Sequence, residues 1–315
     1  MDAKTERRQR LVEIFEDTQN FYEQNTQLAN AVQAAKSATK LYDLEDYPEI
    51  SESAREPAKE PNKRSADKAT QSLLKITKHK TFQAAMEVHS SNPTWKIAVL
   101  NFASATNPGG GVKTGSSAQE ESLCRCSTLY PTLTQDWLWR AYYKKNRDAH
   151  DNLHTDACIY SPNIIICKTD EDYPNRMPEK DWVRVDVITC AAPNLRQRPG
   201  NLHNPAAGIK AVSVKPEDLY ELHLKRAKHI MHIAAAHSVD ALILGAFGCG
   251  AFANDPNVVA RAYKDALTDS RTHYGSYFKL IEFAIYCRAH ETENYDAFKR
   301  AFQTRSQSGQ VATRA

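Results

Sequence analysis

From Leu73 to Cys287 short apolar runs alternate with amphipathic stretches, and that alternation leaves few folds open to the chain. The runs LLKIT (73–77), KIAVLNFA (96–103), IIICK (164–168), VRVDVITCAA (183–192), ALILGAF (241–247) and LIEFAIYC (280–287) read as strands. The stretches TFQAAMEVHS (81–90), PEDLYELHLKRAKHIMHIAAAH (216–237) and PNVVARAYKDALT (256–268) carry helical spacing. A run such as 96–103 has no polar face, so both of its faces must be covered. Strands alternating with helices then predict a layered α/β domain around a mostly parallel or mixed sheet.

Outside this block the sequence changes character. Thr5 to Ala38 predicts helix, with Leu11, Ile14, Phe15, Phe21 and Tyr22 recurring at three- and four-residue spacings and no Pro or Gly between them. The segment 42–69 holds prolines, many charges and few aliphatics, so it predicts a polar linker or long loop. The expected organisation is an N-terminal helical extension (1–41), the linker (42–69), a catalytic domain (70–303) and a flexible polar tail (304–315).

Composition excludes several classes. Lys and Arg exceed Asp and Glu by 41 − 38 = 3, too little to indicate direct nucleic-acid binding, and the four tryptophans do not interleave with a basic stripe. No apolar run reaches the ~18 residues of a membrane span, and the first residues lack the apolar core of a secretory signal. Seven cysteines, an odd number, do not form a disulfide framework. An intracellular protein, cytoplasmic or nuclear, with reduced thiols is the expectation.

Chemistry concentrates at the carboxyl ends of two predicted strands, where ligands bind in open α/β sheets. In LGAFGCGAFANDP (244–256), Gly245, Gly248 and Gly250 allow close backbone approach, so successive N–H groups can converge on an anion, with the helix starting near Pro256 adding its positive end. Phe247 and Phe252 are placed to face a sugar or base. Gly248, Gly250 and Ala253 also satisfy G-x-G-x-x-A, yet the next strand ends in Cys287 and Arg288 rather than an acid, which disfavours a dinucleotide oxidoreductase. In NFASATNPGGGVKTGSSAQEESL (101–123), three consecutive glycines carry a large ordering entropy, so something must approach this backbone closely. It is not a phosphate-binding P-loop, because Ser116 and Ser117 stand where Lys and Ser/Thr are required. Ser116 or Ser117 can cap a helix whose first turn holds Gln119, Glu120 and Glu121. Acids there complement the helix dipole, and two consecutive acids point about 100° apart, so they take different roles.

Gly-Gly-Gly, seven residues (Val112 to Ala118) and Gln-Glu-Glu together resemble the signature of the poly(ADP-ribose) glycohydrolases, and the flanking NFASATNPGGG and LGAFGCGAFANDP resemble the microbial-type branch. The resemblance implies a three-layer α/β/α macrodomain fold with an N-terminal helical extension, an ADP-ribose ligand, free or as poly(ADP-ribose) chains attached to protein, and glycosidic-bond hydrolysis from chain ends without metal or cofactor. By motif position, Glu121 is the implied catalytic residue, and Glu120 holds ribose hydroxyls. Gly109, Gly110 and Gly111 form the loop around ribose and diphosphate. Gly248, Cys249, Gly250 and Ala251 donate backbone N–H groups to the diphosphate, and Phe252 packs near the distal ribose. Asn107 and Gln119 orient the loop and the acid.

The chemistry agrees with that assignment. Glycosidic cleavage needs a proton for the departing oxygen and an environment that stabilises an oxocarbenium-like transition state. A carboxyl group in a desolvated cleft beside a diphosphate holds its proton more tightly, so Glu121 would protonate the leaving hydroxyl and then activate water. Two alternatives stand beside this reading: a mono-ADP-ribosyl hydrolase acting on modified protein or nucleic acid, and a non-catalytic ADP-ribose-binding module, which has no need of Gln119, Glu120 and Glu121. His229 and His232 have the spacing of a metal pair but lack a completing set, and Cys124 and Cys126 read as buried thiols. Lys113 reads equally as a phosphate contact or a solvated lysine. Phe283, or another aromatic near the last strand, is the expected adenine platform.

Overall fold

The computed structural model describes residues 2–44, 48–51, 74–200 and 210–303. The expected linker 42–69 and tail 304–315 therefore lie largely outside the described residues. Seven strands form one mixed sheet: β1 (Lys40–Tyr42), β2 (Leu74–Thr77), β3 (Ile97–Phe102), β4 (Cys158–Ile166), β5 (Val183–Cys190), β6 (Ala241–Leu244) and β7 (Leu280–Ala284), in the order β1-β4-β5-β3-β6-β7-β2. From β5 to β2 the neighbours are parallel, while β4 is antiparallel to both β5 and β1.

Side-chain alternation along the central strands explains the layers. Ile97 and Val99 of β3, with Ala241 and Ile243 of β6, enter one apolar cluster, whereas Ala98, Leu100, Leu242 and Leu244 enter the other. The first cluster packs under α3 (Thr81–Ser91), α4 (Gln119–Cys126) and a run of short helical turns between 130 and 149. The second packs under α5 (Pro216–Ala236), α6 (Pro256–Thr268) and α7 (Glu293–Phe302). Period-two alternation with apolar residues on both sides forces helices onto both faces of the sheet.

The N-terminal stretch departs from a single helix. It forms α1 (Ala3–Gln24) and α2 (Thr26–Ala38), separated by Asn25 at φ −90°, ψ 114°. Asn25 Oδ1 accepts the Leu28 N–H at 3.0 Å, so the side chain caps α2 and ends α1. Tyr42, at the start of the expected linker, belongs to β1 and is buried. β4 begins at Cys158, six residues before the expected strand, because Pro162 and Asn163 (φ 56°) sit at a register shift that hides its first half from a pattern reading.

Three histidines, the buried His223 and the half-buried His154 and His237, make the fold acid-sensitive. Burial lowers the pKa of His154 and of His223 to about 4, and that of His237 also to about 4. An unfolded histidine titrates near 6.5, so between about 6.5 and 4 the unfolded chain binds more protons than the folded one. This stabilisation is complete above that window and is lost as pH falls through it. For the fully buried His223 it amounts to about 3 kcal/mol at most. His223→Gln should flatten the dependence of urea midpoint on pH between 7 and 4.5; an unchanged slope counts against a buried neutral His223.

Candidate active site

β3, β6 and β7 run parallel and adjacent, so the loops leaving their carboxyl ends share one rim. A cleft of about 680 Å³ opens there. Gly110, Gly111, Glu120 and Glu121 line it from one side, and Gly248, Gly250, Ala251 and Phe252 from the other. The two glycine turns, some 140 residues apart in sequence, thus meet in one site.

The first turn is built around its own carboxylates. Gln119 opens α4. Its Oε1 accepts the Phe102 N–H at 2.8 Å, and its Nε2 donates to the Leu100 carbonyl at 2.7 Å and to Thr81 Oγ1 at 3.0 Å. Gln119 therefore ties α4 to the end of β3 and the start of α3, and it sets the acids only through the backbone. Neither serine caps α4: the N-cap is Ala118, without a side-chain bond. The Ser116 carbonyl instead accepts from Arg125 Nη1 at 2.7 Å, which places a buried guanidinium under the loop.

The two glutamates sit in different surroundings, as their angular separation requires. Glu120 is 2% exposed; its Oε2 accepts the Ser104 N–H at 2.7 Å and its Oε1 faces Asn101 Nδ2 at 3.4 Å. Burial, then the neighbouring Glu121 charge, pushes the Glu120 pKa well above the carboxylate range. Glu121 Oε1 accepts the Gly111 N–H at 2.9 Å, while its Oε2 is buried without a hydrogen-bond partner. One Glu121 oxygen is fixed and the other is uncommitted, beside the cleft.

The close approach demanded by three glycines is met inside the chain. Gly110 has φ +59°, and a Cβ there would fall on the Glu121 carboxylate. A ring edge of Tyr130 faces Gly109, and the Ser116 hydroxyl lies against Gly111. Asn107 holds the other end of the loop: its N–H donates to Ser104 Oγ at 3.1 Å and its Oδ1 accepts from Arg147 Nη2. Arg147 Nε also donates to the Thr106 carbonyl at 2.7 Å. Two arginines, Arg125 and Arg147, clamp the loop, and neither is marked by any local motif.

In the second turn, Gly248 has φ +78°, and its backbone is pressed between Ala192 and Asn254. Asn254 Nδ2 donates to the carbonyls of Pro193 (2.7 Å) and Gly248 (3.0 Å), and its Oδ1 bonds His223 Nε2 at 2.8 Å. A buried neutral histidine therefore supports the turn from below. The N–H groups of Gly248, Gly250 and Ala251 have no acceptor among the described residues. Cys249 differs from expectation: its N–H donates to Ala246 at 3.1 Å and its thiol turns toward the core, where burial raises the pKa. The amino end of α6 also departs from expectation. Asp255 accepts the Asn257 N–H at 2.8 Å, so that helix end is capped by its own carboxylate and lies off the cleft.

Aromatic placement divides. Phe252 lines the cleft, half-buried, as expected. Phe247 is fully buried against Phe102 and His223, and Phe283 is packed among Tyr263, Phe298 and Phe302, so neither is an open face for a base or sugar. Beyond the last strand, Tyr286 is 53% exposed on the cleft wall with Lys80 Nζ 5.2 Å from its ring centre. Lys113 Nζ lies 5.5 Å from the Tyr130 ring. Cys124 and Cys126 are buried, as expected. His229 and His232 bond the Tyr42 and Pro48 carbonyls, and no metal-holding group of His, Cys, Asp and Glu occurs among the described residues. Among those residues, too, no helix is long and apolar enough to cross a membrane. Sequence reasoning missed the cations on the cleft wall, Lys4, Arg7, Arg8 and Arg196, because their neighbourhood is set by tertiary packing.

No curated protein matches the chain. Residues 9–169, just over half of it, match the family described as microbial-type PARG, catalytic domain. The chain is similar to poly(ADP-ribose) glycohydrolase from Thermomonospora curvata, with 29% identity over 93% of this chain and 99% of that one and a TM-score of 0.74. The same enzyme bound to the inhibitor ADP-HPD matches at 28% identity over the same shares, with a TM-score of 0.72. Poly(ADP-ribose) glycohydrolase from Deinococcus radiodurans in complex with ADP-ribose matches at 30% identity over 86% of this chain and 96% of that one, with a TM-score of 0.64. Carrying that family's catalytic-domain match on a shared fold, the chain belongs to the microbial-type poly(ADP-ribose) glycohydrolases and is an enzyme of that family.

Proposed function

We propose that the protein hydrolyses the ribose–ribose O-glycosidic bond of poly(ADP-ribose), releasing ADP-ribose from chain ends, with Glu121 as general acid and then general base. The observation that carries this reading is the uncommitted, buried Glu121 Oε2 on the wall of a cleft whose opposite wall offers backbone N–H groups without acceptors among the described residues. Relatives of this fold bind ADP-ribose and ADP-HPD, and that ligand class is the one proposed here.

The residues divide the work by chemistry. Gly248, Gly250 and Ala251 line the cleft with N–H groups that have no acceptor among the described residues, which suits a diphosphate. Phe252 packs against the distal ribose, and Glu120 takes the ribose hydroxyls. Two carboxyl groups this close retain a proton into the range where an isolated carboxyl is ionised. Glu121 gives that proton to the departing 2′-oxygen as the C1″–O bond breaks. The electron deficit left on the ribose is stabilised by the adjoining diphosphate. The Glu121 carboxylate then takes a proton from water, whose oxygen bonds the anomeric carbon. Gly111 fixes Glu121 Oε1, so Oε2 performs both transfers without side-chain reorganisation. Asn107 and Gln119 act as positioning residues, through the loop and the helix start.

The direct test is incubation with labelled poly(ADP-ribose) and, separately, with mono-ADP-ribosylated protein. Free ADP-ribose should appear from the polymer as the first product, without intermediate oligomers. Release confined to the mono-modified substrate counts against the reading.

A further inference from the structure

The N-terminal helix enters the cleft. Lys4, Arg7, Arg8 and Leu11 all line it. Their spacing of three, four and seven residues places them on one face of α1, covering about 10 Å of helix. Leu11 is buried at the inner end of this stripe, and Lys4 and Arg7 are exposed at the outer end.

The helix is held firmly in this position. Thr18 Oγ1 donates to the Arg125 carbonyl at 2.6 Å, so α1 is bonded to the helix that carries both glutamates. The buried Lys168 donates to the Ile14 carbonyl at 2.9 Å and pairs with Asp17 at 2.7 Å. The Arg8 backbone lies so close to Gly115 that a Cβ there would collide with it. The first turns of α1 are thus an extension of the catalytic loop.

The charge on this rim is unbalanced. Nearby acids are already engaged: Asp172 pairs with Lys80 at 2.9 Å, Asp170 accepts the N–H groups of Phe82 and Gln83, Asp2 caps Thr5, and Glu171 accepts from Thr169 Oγ1 at 3.1 Å and Asn175 Nδ2 at 3.4 Å. The Lys4 and Arg7 side chains make no ion pair within 4 Å among the described residues, their charges acting at longer range on Asp2 and Asp172. Two cations held on one helix face beside an anion-binding cleft form a site for further phosphate. A single ADP-ribose offers one diphosphate, for which the second glycine turn already supplies donors. A polymer offers one more with every unit.

Resting on the function proposed above, we infer that the first two turns of α1 form a polyanion subsite continuous with the cleft, in which Lys4 and Arg7 pair with the diphosphate of the ADP-ribose unit adjoining the bound one. The subsite favours poly(ADP-ribose) over mono-ADP-ribosylated substrates, and its contribution is electrostatic.

The test compares Lys4→Ala/Arg7→Ala with the parent chain, each in a Glu121→Gln background so that binding is read without turnover. Affinity for poly(ADP-ribose) at low salt should fall about tenfold, while affinity for ADP-ribose stays within twofold. The slope of log affinity against log salt should become shallower by about 1.4, at ~0.7 per lost phosphate contact. Both substitutions are at exposed helical positions where alanine favours the helix, so folding is retained. Unchanged polymer affinity and slope overturn the inference, and so does an equal loss of ADP-ribose affinity, which would assign the cations to the bound unit. Failure of the unsubstituted chain to release ADP-ribose overturns the proposed function instead, and leaves this binding comparison readable.

Discussion

Glu121→Gln is expected to lower ADP-ribose release from poly(ADP-ribose) by at least about a thousandfold, a loss of about 4 kcal/mol in transition-state stabilisation. The substitution is nearly isosteric. The amide oxygen can still accept the Gly111 N–H, which the Glu121 Oε1 takes at 2.9 Å, so the loop should keep its shape. What disappears is the transferable proton at Oε2. ADP-ribose affinity should therefore stay within a few-fold of the parent, since the diphosphate is assigned to the opposite wall. Measuring kcat on polymer and Kd for ADP-ribose on the same preparation separates the two. A variant that turns over at the parent rate contradicts the assignment of Glu121, and one that loses both properties together points to a structural role.

Gly110→Ala should abolish turnover for a different reason. Gly110 has φ +59°, and an added Cβ would fall on the Glu121 carboxylate that turnover requires. A left-handed conformation costs an ordinary residue about 1–2 kcal/mol, and the collision adds to it. The loop or the carboxylate must then move, and a displacement of about 1 Å at a reacting group costs about a hundredfold. The expected result is a fall in kcat of at least about a hundredfold with the fold retained. Gly250→Ala is the control. Nothing lies within 4 Å of a Cβ at position 250, so thermal stability there should be unaffected. Parent-like kcat in Gly110→Ala would show that the glycine is not needed to seat Glu121.

These two predictions show which parts of the molecule the sequence exposes. β3 and β6 are legible because apolar residues on both faces admit only a covered strand, and the acids are legible because a helix start after a glycine run is a local pattern. The clamp on the loop is not. Arg147 meets Asn107 across 40 residues, and the Arg125 bond to Ser116 depends on how the loop folds back over α4. Sequence places aromatic residues beside a glycine turn without saying which way they face; Phe252 turns to the cleft and Phe247 to the core. Asn25 shows the same limit on a smaller scale. Its side chain ends one helix and begins another, although the apolar spacing runs on through it.

The acidic signature is also more finely divided than spacing alone implies. Glu120 is a carboxyl whose pKa burial raises, with the Glu121 charge adding to the effect. Glu120 is held on both oxygens and Glu121 on one, so the second acid is the one with an atom to spare. In physical terms the pair shares one proton, and the uncommitted Glu121 Oε2 is the atom from which it reaches the substrate.

The central claim concerns where that oxygen lies relative to the scissile bond. A crystal structure of Glu121→Gln bound to a short poly(ADP-ribose) chain measures it directly. The bridging ribose–ribose oxygen should lie within about 3 Å of the substituted side chain at position 121, with the diphosphate against the N–H groups of Gly248, Gly250 and Ala251. A bridging oxygen directed into solvent, with residue 121 out of hydrogen-bonding reach of it, would contradict the account.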